Sequence, residues 1–128
     1  MNKVKVVVVD DQNISRGFFE MYVRASRDYE LVASLRTAQS SLDYVDKNKT
    51  DLVIMDVEMP VLDGVATVKG LRRMGYTDLP VIFLSSHRDI ETVMRCKEAG
   101  AAEYIIKPTN KTYLQERVAA VLYNKLDI

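Results

Sequence analysis

The chain has 128 residues, and its 18 basic side chains balance its 18 acidic ones, so no global positive field points to nucleic acid. This length is typical of one domain that buries its own core. The single cysteine, Cys96, cannot form an internal disulfide, which fits a reducing cytosol. The only early apolar run, residues 6–9, is far too short for a signal peptide or a membrane span. We therefore expect one cytoplasmic globular domain over residues 1–128 that binds neither nucleic acid nor membrane.

Five short apolar runs predict five β-strands. Those at residues 4–9, 52–55 and 79–84 are rich in β-branched side chains and almost free of polar ones, as strands buried on both faces are. Residues 29–35 alternate well enough for a further strand, and residues 103–106 form a short last one.

Between the strands the hydrophobic period becomes that of a helix. Ile14, Phe18, Met21, Tyr22 and Ala25 recur at helical spacing and predict an amphipathic helix over about residues 13–27. Similar patterns predict helices over residues 38–47, 65–75, 90–100 and about 114–122. Alternating strands and helices imply a parallel sheet covered on both faces, because right-handed crossovers leave few other arrangements. Five units are too few for a closed barrel, so the predicted α/β fold is an open three-layer (βα)5 sandwich with a five-stranded parallel sheet.

Polar side chains follow four of the predicted strands, at the point where each strand ends. Asp10 and Asp11 follow the first strand, Asp56 the third, Ser85 the fourth and Lys107 the fifth. The carboxyl ends of parallel strands share one edge, where ligands of open α/β sheets bind, so we expect these side chains to converge. Two carboxylates about 4 Å apart repel by roughly 4 kcal/mol at an effective dielectric constant of 20, and a divalent cation between them removes that cost. Carboxylate ligands favour Mg²⁺ or Mn²⁺ over Zn²⁺.

A metal, an ammonium and a hydroxyl around one carboxylate are what phosphoryl transfer to that carboxylate requires. The metal would offset charge on the phosphoryl oxygens, Lys107 and Ser85 would bind the others, and Asp56 would attack as the nucleophile. The product would be an acyl phosphate on Asp56.

Over essentially its whole length the chain resembles the receiver domain of bacterial two-component response regulators. The matching elements, in chain order, are Asp10-Asp11, Met55-Asp56-Val57-Glu58-Met59-Pro60, Asp63-Gly64, Ser85, Tyr104 and Lys107-Pro108. The resemblance implies flavodoxin-like receiver topology and phosphorylation of Asp56 by a histidine kinase or a phosphotransfer protein. It also implies a Mg²⁺ ion held by Asp11, Asp56, the backbone carbonyl of Glu58, and Asp10 through water.

The same resemblance implies a switch. Ser85 and Tyr104 would act as a pair that repacks the surface of the fourth helix, the fifth strand and the fifth helix, where partners of this family usually bind. The Lys107–Pro108 bond would be cis. Glu58 and His87 are candidates for setting the lifetime of the phosphate. Such a domain catalyses its own phosphorylation and dephosphorylation without being a conventional turnover enzyme.

Three other functions share parts of this pattern. A flavin-binding module needs a phosphate cradle after the first strand, where Asp10 and Asp11 would repel a phosphate. An Asp-nucleophile, Mg²⁺-dependent phosphatase usually places its nucleophile after the first strand and adds a cap domain, and neither matches this chain. A degenerate receiver that binds partners without phosphorylation stays open, although the presence of Asp11, Asp56, Ser85 and Lys107 argues against it.

The output stays open as well. The chain stops soon after the last predicted helix, so a stand-alone receiver and the N-terminal part of a longer regulator are both compatible with it. Residues 29–34 are similar to the same segment of receivers attached to DNA-binding domains. The candidate partners are therefore a separate output protein or a fused effector domain. A second copy of the chain, in a phosphorylation-linked homodimer, is a further candidate.

Overall fold

A computed structural model of the protein describes residues 3–126, in which five strands and five helices alternate. The strands are β1 (Val4–Val9), β2 (Tyr29–Leu35), β3 (Leu52–Asp56), β4 (Val81–Ser85) and β5 (Glu103–Ile106). The helices are α1 (Asn13–Ala25), α2 (Ala38–Lys47), α3 (Gly64–Arg73), α4 (Ile90–Ala99) and α5 (Lys111–Leu126). The predicted domain range, 1–128, extends at both ends beyond the described residues.

The strands form one parallel sheet in the order β2-β1-β3-β4-β5. The predicted open (βα)5 sandwich is therefore confirmed, with β3 at the centre. The carboxyl ends of β1, β3 and β4 are adjacent, and Asp56 pairs with Leu84 of β4 at that edge. This register brings the residues after the central strands into one crevice, as open α/β sheets generally do.

Side chains of successive strand residues point to opposite faces, and each face buries its own cluster. Val7, Val53 and Phe83 pack on the side of α2, α3 and α4, while Val8 and Ile54 pack on the side of α1 and α5. All five are at most 1% exposed. Full burial of such a side chain contributes about 1.5–3 kcal/mol, so the two clusters hold the three layers together and fix the strand ends that carry the polar residues.

Most of the apolar stripe that predicts α1 does not pack on the sheet, and of its residues Tyr22 alone is buried. Ile14 is 92% and Met21 72% exposed, and Phe18 is also exposed, whereas Phe19 and Val23 are buried. Both stripes have the period of a helix. The buried stripe packs with residues of α5 and β1 in one hydrophobic cluster. The helix also ends at Ala25, two residues earlier than predicted.

Two element boundaries follow from backbone chemistry. β4 begins at Val81 and not at residue 79, because Pro80 has no amide hydrogen to give to a neighbouring strand. The carbonyl of Pro80 still accepts a hydrogen bond from the Val53 amide at 3.0 Å. The helix α4 ends at Ala99, and Gly100, at which its end was predicted, caps it with a φ of 101° in the left-handed region.

The start of α3 is fixed tightly against the end of β3. The Asp63 side chain caps the helix by accepting from the Ala66 amide at 2.8 Å. A Cβ at Gly64 would lie 2.7 Å from the Asp56 carbonyl oxygen and 2.7 Å from the Phe83 ring. The absence of a side chain therefore lets this loop close over the end of β3. Within residues 3–126, none of the helices combines the length and apolar composition needed to cross a membrane.

Candidate functional site

Three carboxylates meet at the carboxyl edge of the sheet. Asp10 and Asp11 follow β1, Asp56 ends β3, and one oxygen of each lies within 4.8 Å of one oxygen of the others. Asp10 and Asp56 are 1% and 4% exposed, whereas Asp11 is open to solvent. The cluster is thus buried on the side of Asp10 and Asp56 and open to solvent on the side of Asp11. A cation held there would keep water ligands, as Mg²⁺ usually does.

Lys107 places a positive charge between the two buried carboxylates. Its Nζ lies 3.6 Å from Asp10 Oδ2 and 3.6 Å from Asp56 Oδ2. The same ammonium donates to the Ser15 hydroxyl at 3.2 Å. The Lys107 amide donates to the Ser85 carbonyl at 2.8 Å, which fixes the backbone from which the side chain extends. One ammonium faces three carboxylates, so the cluster retains negative charge.

The environment of Asp56 disfavours its ionised form. Burial raises the pKa of the Asp56 carboxyl from 3.8 to about 6. The Lys107 ammonium opposes this rise in pKa, and the charges of Asp10 and Glu58 add to it. The Glu58 amide donates to Asp56 Oδ1 at 3.3 Å and also favours the carboxylate. The site therefore holds a carboxylate that lacks sufficient positive charge around it.

Asp10 presents one buried oxygen that accepts no hydrogen bond from a described residue. Its Oδ1 accepts from the Gln12 amide at 2.9 Å, and its main-chain carbonyl accepts from Arg16 Nη1 at 2.9 Å. Its Oδ2 is buried and has no hydrogen-bond partner among the described residues, since the Lys107 ammonium is 3.6 Å away and forms an ion pair with it but no hydrogen bond. Buried carboxylate oxygens normally have partners, so this one is suited to bind a cation or a cation-bound water. The donor set fits a hard divalent metal.

The Ser85 hydroxyl is bonded to Glu58 and to the loop that follows β4. Ser85 is fully buried, and its Oγ donates to the Glu58 carboxylate, 2.7 Å from Oε1 and 3.1 Å from Oε2. It accepts from the His87 amide at 3.0 Å. The half-buried Tyr104 donates its hydroxyl to the His87 carbonyl at 2.8 Å. Ser85 and Tyr104 are thus linked through the main chain of one residue.

The remaining predicted residues lie at the mouth of the site. Glu58 and His87 are exposed, and His87 Nε2 lies 3.3 Å from Glu58 Oε1. The other ring nitrogen of His87 lies 3.5 Å from Asp89 Oδ1. The peptide bond between Lys107 and Pro108 is cis.

Two contacts of the site were not predicted. Ser15, which accepts a hydrogen bond from Lys107, lies in the first turn of α1, and this contact depends on how α1 packs beside β5, which the sequence alone did not specify. The contact between the Glu58 side chain and Ser85 depends on the adjacency of β3 and β4 and on a side-chain rotamer, so only the adjacency was predictable.

Comparison with known proteins agrees with this geometry. Residues 6–119 match the family described as the response regulator receiver domain. A protein-glutamate methylesterase/protein-glutamine glutaminase of Azospirillum brasilense is 34% identical over 109 residues, which are 84% of this chain and 27% of that protein. The transcriptional regulatory protein DegU of Brevibacillus brevis is 29% identical over 120 residues, covering 94% of this chain and 50% of that protein. The chain thus spans about a quarter to a half of the length of these relatives.

Solved structures give the same result. The chemotaxis response regulator CheY4 of Vibrio cholerae superposes with a TM-score of 0.85 at 27% identity, covering 94% of this chain and 99% of that one. The signal receiver domain of the response regulator NarL from Mycobacterium tuberculosis has a TM-score of 0.84 at 26% identity, with 98% of each chain covered. The protein belongs to the response regulator receiver domain family, the phosphorylation-dependent switches of two-component signalling.

Proposed function

We propose that Asp56 accepts a phosphoryl group from a histidine kinase or a phosphotransfer protein, and that the acyl phosphate controls an output surface. The observation that carries this proposal is the position of Lys107 Nζ, 3.6 Å from both Asp10 and Asp56 at the buried side of a carboxylate cluster that opens to solvent at Asp11. Nucleophile, fixed positive charge and cation site then share one crevice, as phosphoryl transfer requires.

In the proposed transfer, an oxygen of Asp56 forms a bond to phosphorus while the bond between phosphorus and the imidazole nitrogen of the donor breaks. The imidazole leaves with the bonding electron pair. Because the pKa of Asp56 is about 6, most molecules hold it as the carboxylate at neutral pH, with a lone pair available for attack. The Lys107 ammonium lies 3.6 Å from Asp56 Oδ2, close enough to bind a phosphoryl oxygen formed on it.

We assign the cation site to Asp10, Asp11, Asp56 and the main-chain carbonyl of Glu58, with Asp10 acting through a water. Two observations support this assignment: Asp10 Oδ2 is buried and has no hydrogen-bond partner among the described residues, and the three carboxylates cluster within 4.8 Å. An all-oxygen donor set with one open side favours Mg²⁺ or Mn²⁺. When bound, the ion supplies positive charge that offsets the charge on the phosphoryl oxygens.

The switch is assigned to Ser85 and Tyr104. A phosphoryl group adds about −1.5 to −2 charges and three acceptor oxygens, one of which the Ser85 hydroxyl can bind. His87 accepts from Tyr104 and donates to Ser85 through its own backbone, so a shift of Ser85 moves the anchor of Tyr104. The face formed by α4, β5 and α5 then repacks and changes its affinity for partners.

Glu58 and His87 are assigned to the lifetime of the acyl phosphate. Both are exposed beside Asp56 and Ser85, where water must enter to hydrolyse the phosphate. The two side chains lie 3.3 Å apart, so the Glu58 carboxylate offers an acceptor and the His87 ring a donor at that entrance.

The phosphodonor is proposed to approach over α1. Ile14 and Phe18 are exposed apolar side chains, and with Lys107 and Pro108 they line a cavity of about 380 Å³ beside the site. A helix of the donor that packs on this surface would bring a phosphohistidine to the Asp56 side of the crevice.

We propose that the domain acts through a fused or a separate effector. The matched relatives are a methylesterase and a transcriptional regulatory protein, and each is longer than this chain. Phosphorylation-linked dimerisation of this chain is proposed as a second output. Both outputs are proposed to operate in the cytoplasm, where the buried Cys96 would stay reduced.

The proposal is tested by intact mass spectrometry after incubation with acetyl phosphate, with and without Mg²⁺. We expect a single labile phosphate on the wild type with Mg²⁺, none with excess chelator, and none on Asp56→Asn. The control Asp28→Asn removes an exposed carboxylate far from the site and should be phosphorylated like the wild type. Absence of an adduct on well-folded wild-type protein would refute the proposal and favour a receiver that binds partners without phosphorylation.

A further inference from the structure

The hydroxyl that the switch requires is already engaged. A serine hydroxyl has one proton to donate, and Ser85 gives it to the Glu58 carboxylate at 2.7 Å. A phosphoryl group on Asp56 would need the same proton. The two acceptors therefore compete for Ser85.

We propose that the Glu58 carboxylate is an autoinhibitory group that holds Ser85 in the unphosphorylated domain and must be displaced before Ser85 binds a phosphoryl group. This inference rests on the proposed phosphorylation of Asp56. The inference adds one step to the proposed switch: the hydrogen bond between Ser85 and Glu58, two residues after Asp56, must break first.

The Glu58 carboxylate is held in place from two sides. Besides Ser85, it contacts His87 Nε2 at 3.3 Å. The His87 ring is steadied in turn by Asp89, whose own carboxylate is fixed at the start of α4 by the Thr92 amide at 2.9 Å. Glu58 is thus an oriented acceptor at the Ser85 hydroxyl and not a freely moving surface side chain.

The strength of this hold sets the expected effect. A hydrogen bond to a charged group typically contributes enough to shift an equilibrium about tenfold to hundredfold. A ligand that must bind the Ser85 hydroxyl can bind only the molecules in which Ser85 is not hydrogen-bonded to Glu58. Its apparent affinity is therefore reduced in proportion to the fraction of such molecules. Removal of the carboxylate should therefore tighten the binding of a phosphoryl group or its mimic by about tenfold or more.

Simple charge repulsion is the alternative explanation, because Glu58 also repels an anion bound at Asp56. The two explanations differ in their dependence on Ser85. Competition for the hydroxyl disappears when the hydroxyl is removed, whereas repulsion between Glu58 and the anion persists.

A double-mutant cycle separates them. Beryllium fluoride with Mg²⁺, a mimic of the phosphoryl group, is titrated into wild type, Glu58→Ala, Ser85→Ala and the double variant, and the apparent Kd is measured by calorimetry. We expect Glu58→Ala to tighten binding about tenfold or more when Ser85 is present, and only about twofold, through the charge repulsion that remains, when Ser85 is alanine. Equal tightening in both backgrounds, or none in either, would overturn the inference.

A second measurement needs no ligand. The His87 amide donates to Ser85 Oγ at 3.0 Å, so release of the hydroxyl from Glu58 should shift the NMR signal of that amide in Glu58→Ala. Glu98→Ala, which removes an exposed glutamate of α4, is the matched control and should leave the signal in place. An unchanged His87 signal in Glu58→Ala would overturn the autoinhibitory contact by itself. Failure of the wild type and all variants to bind beryllium fluoride, with the His87 signal shifted as expected, would instead overturn the proposed phosphoryl site.

Discussion

Replacement of Asp56 by asparagine should stabilise the protein at neutral pH. The folded protein holds this carboxyl with a pKa of about 6, against 3.8 for the free side chain. Between these two values the folded state binds more protons than the unfolded state, so folding stability falls as the pH rises through this window. Ionisation of Asp56 in the fold then costs about 3 kcal/mol at pH 7, and the uncharged amide avoids that cost.

The assay is urea-induced unfolding in the presence of a chelator, at pH 7 and at pH 4. We expect Asp56→Asn to be more stable than the wild type by about 2–3 kcal/mol at pH 7, equivalent to roughly 10 °C in Tm, and nearly equal to it at pH 4. The exposed control Asp28→Asn should change little at either pH. An Asp56→Asn variant that is less stable at pH 7, or whose advantage does not depend on pH, would refute the assignment of Asp56 as a buried and under-compensated charge.

Two further predictions concern the scaffold. Gly64→Ala should destabilise the fold by about 1–3 kcal/mol or more in urea unfolding, because the new Cβ would lie 2.7 Å from backbone and ring atoms. Gly17→Ala, in an open position of α1, should instead stabilise it by about 0.5–1 kcal/mol, and equal effects of the two changes would contradict the packing argument. Arg72→Met should cost about 2–4 kcal/mol, since the guanidinium donates to three main-chain carbonyls at 2.6–2.8 Å. The exposed Arg73→Met is its control, and similar losses of stability in both variants would show that these bonds contribute nothing specific.

The order of the elements and the edge at which the polar residues meet were predictable from the sequence because both follow from local composition. Buried strands such as β3 are uninterrupted apolar runs, and the parallel arrangement forces their carboxyl ends together. The convergence of Asp10, Asp56 and Lys107 needed no knowledge of individual rotamers.

The face that α1 buries was not predictable in the same way. In α1 the apolar residues are numerous enough to form two stripes, and periodicity alone does not distinguish the stripe that meets the sheet from the one that meets solvent. Ile14 and Phe18 are exposed beside the site, although they have the same helical spacing as the buried Tyr22. The same limit applies to Glu58, whose side chain direction depends on the tertiary position of Ser85.

The electrostatics of the site connect stability to signalling. Two carboxylates, Asp10 and Asp56, are buried with only one ammonium between them, and one buried carboxylate oxygen has no hydrogen-bond partner among the described residues. Better-compensated side chains at these positions would make a more stable domain, but such a domain would gain nothing from a cation or from a charge change on Asp56. The free energy that the pocket loses on folding would be recovered when positive charge enters it, so the same imbalance that weakens the fold would favour the binding of a cation. In the proposed switch the resting state is held by a few contacts, such as that between Glu58 and Ser85, which a single added group would replace.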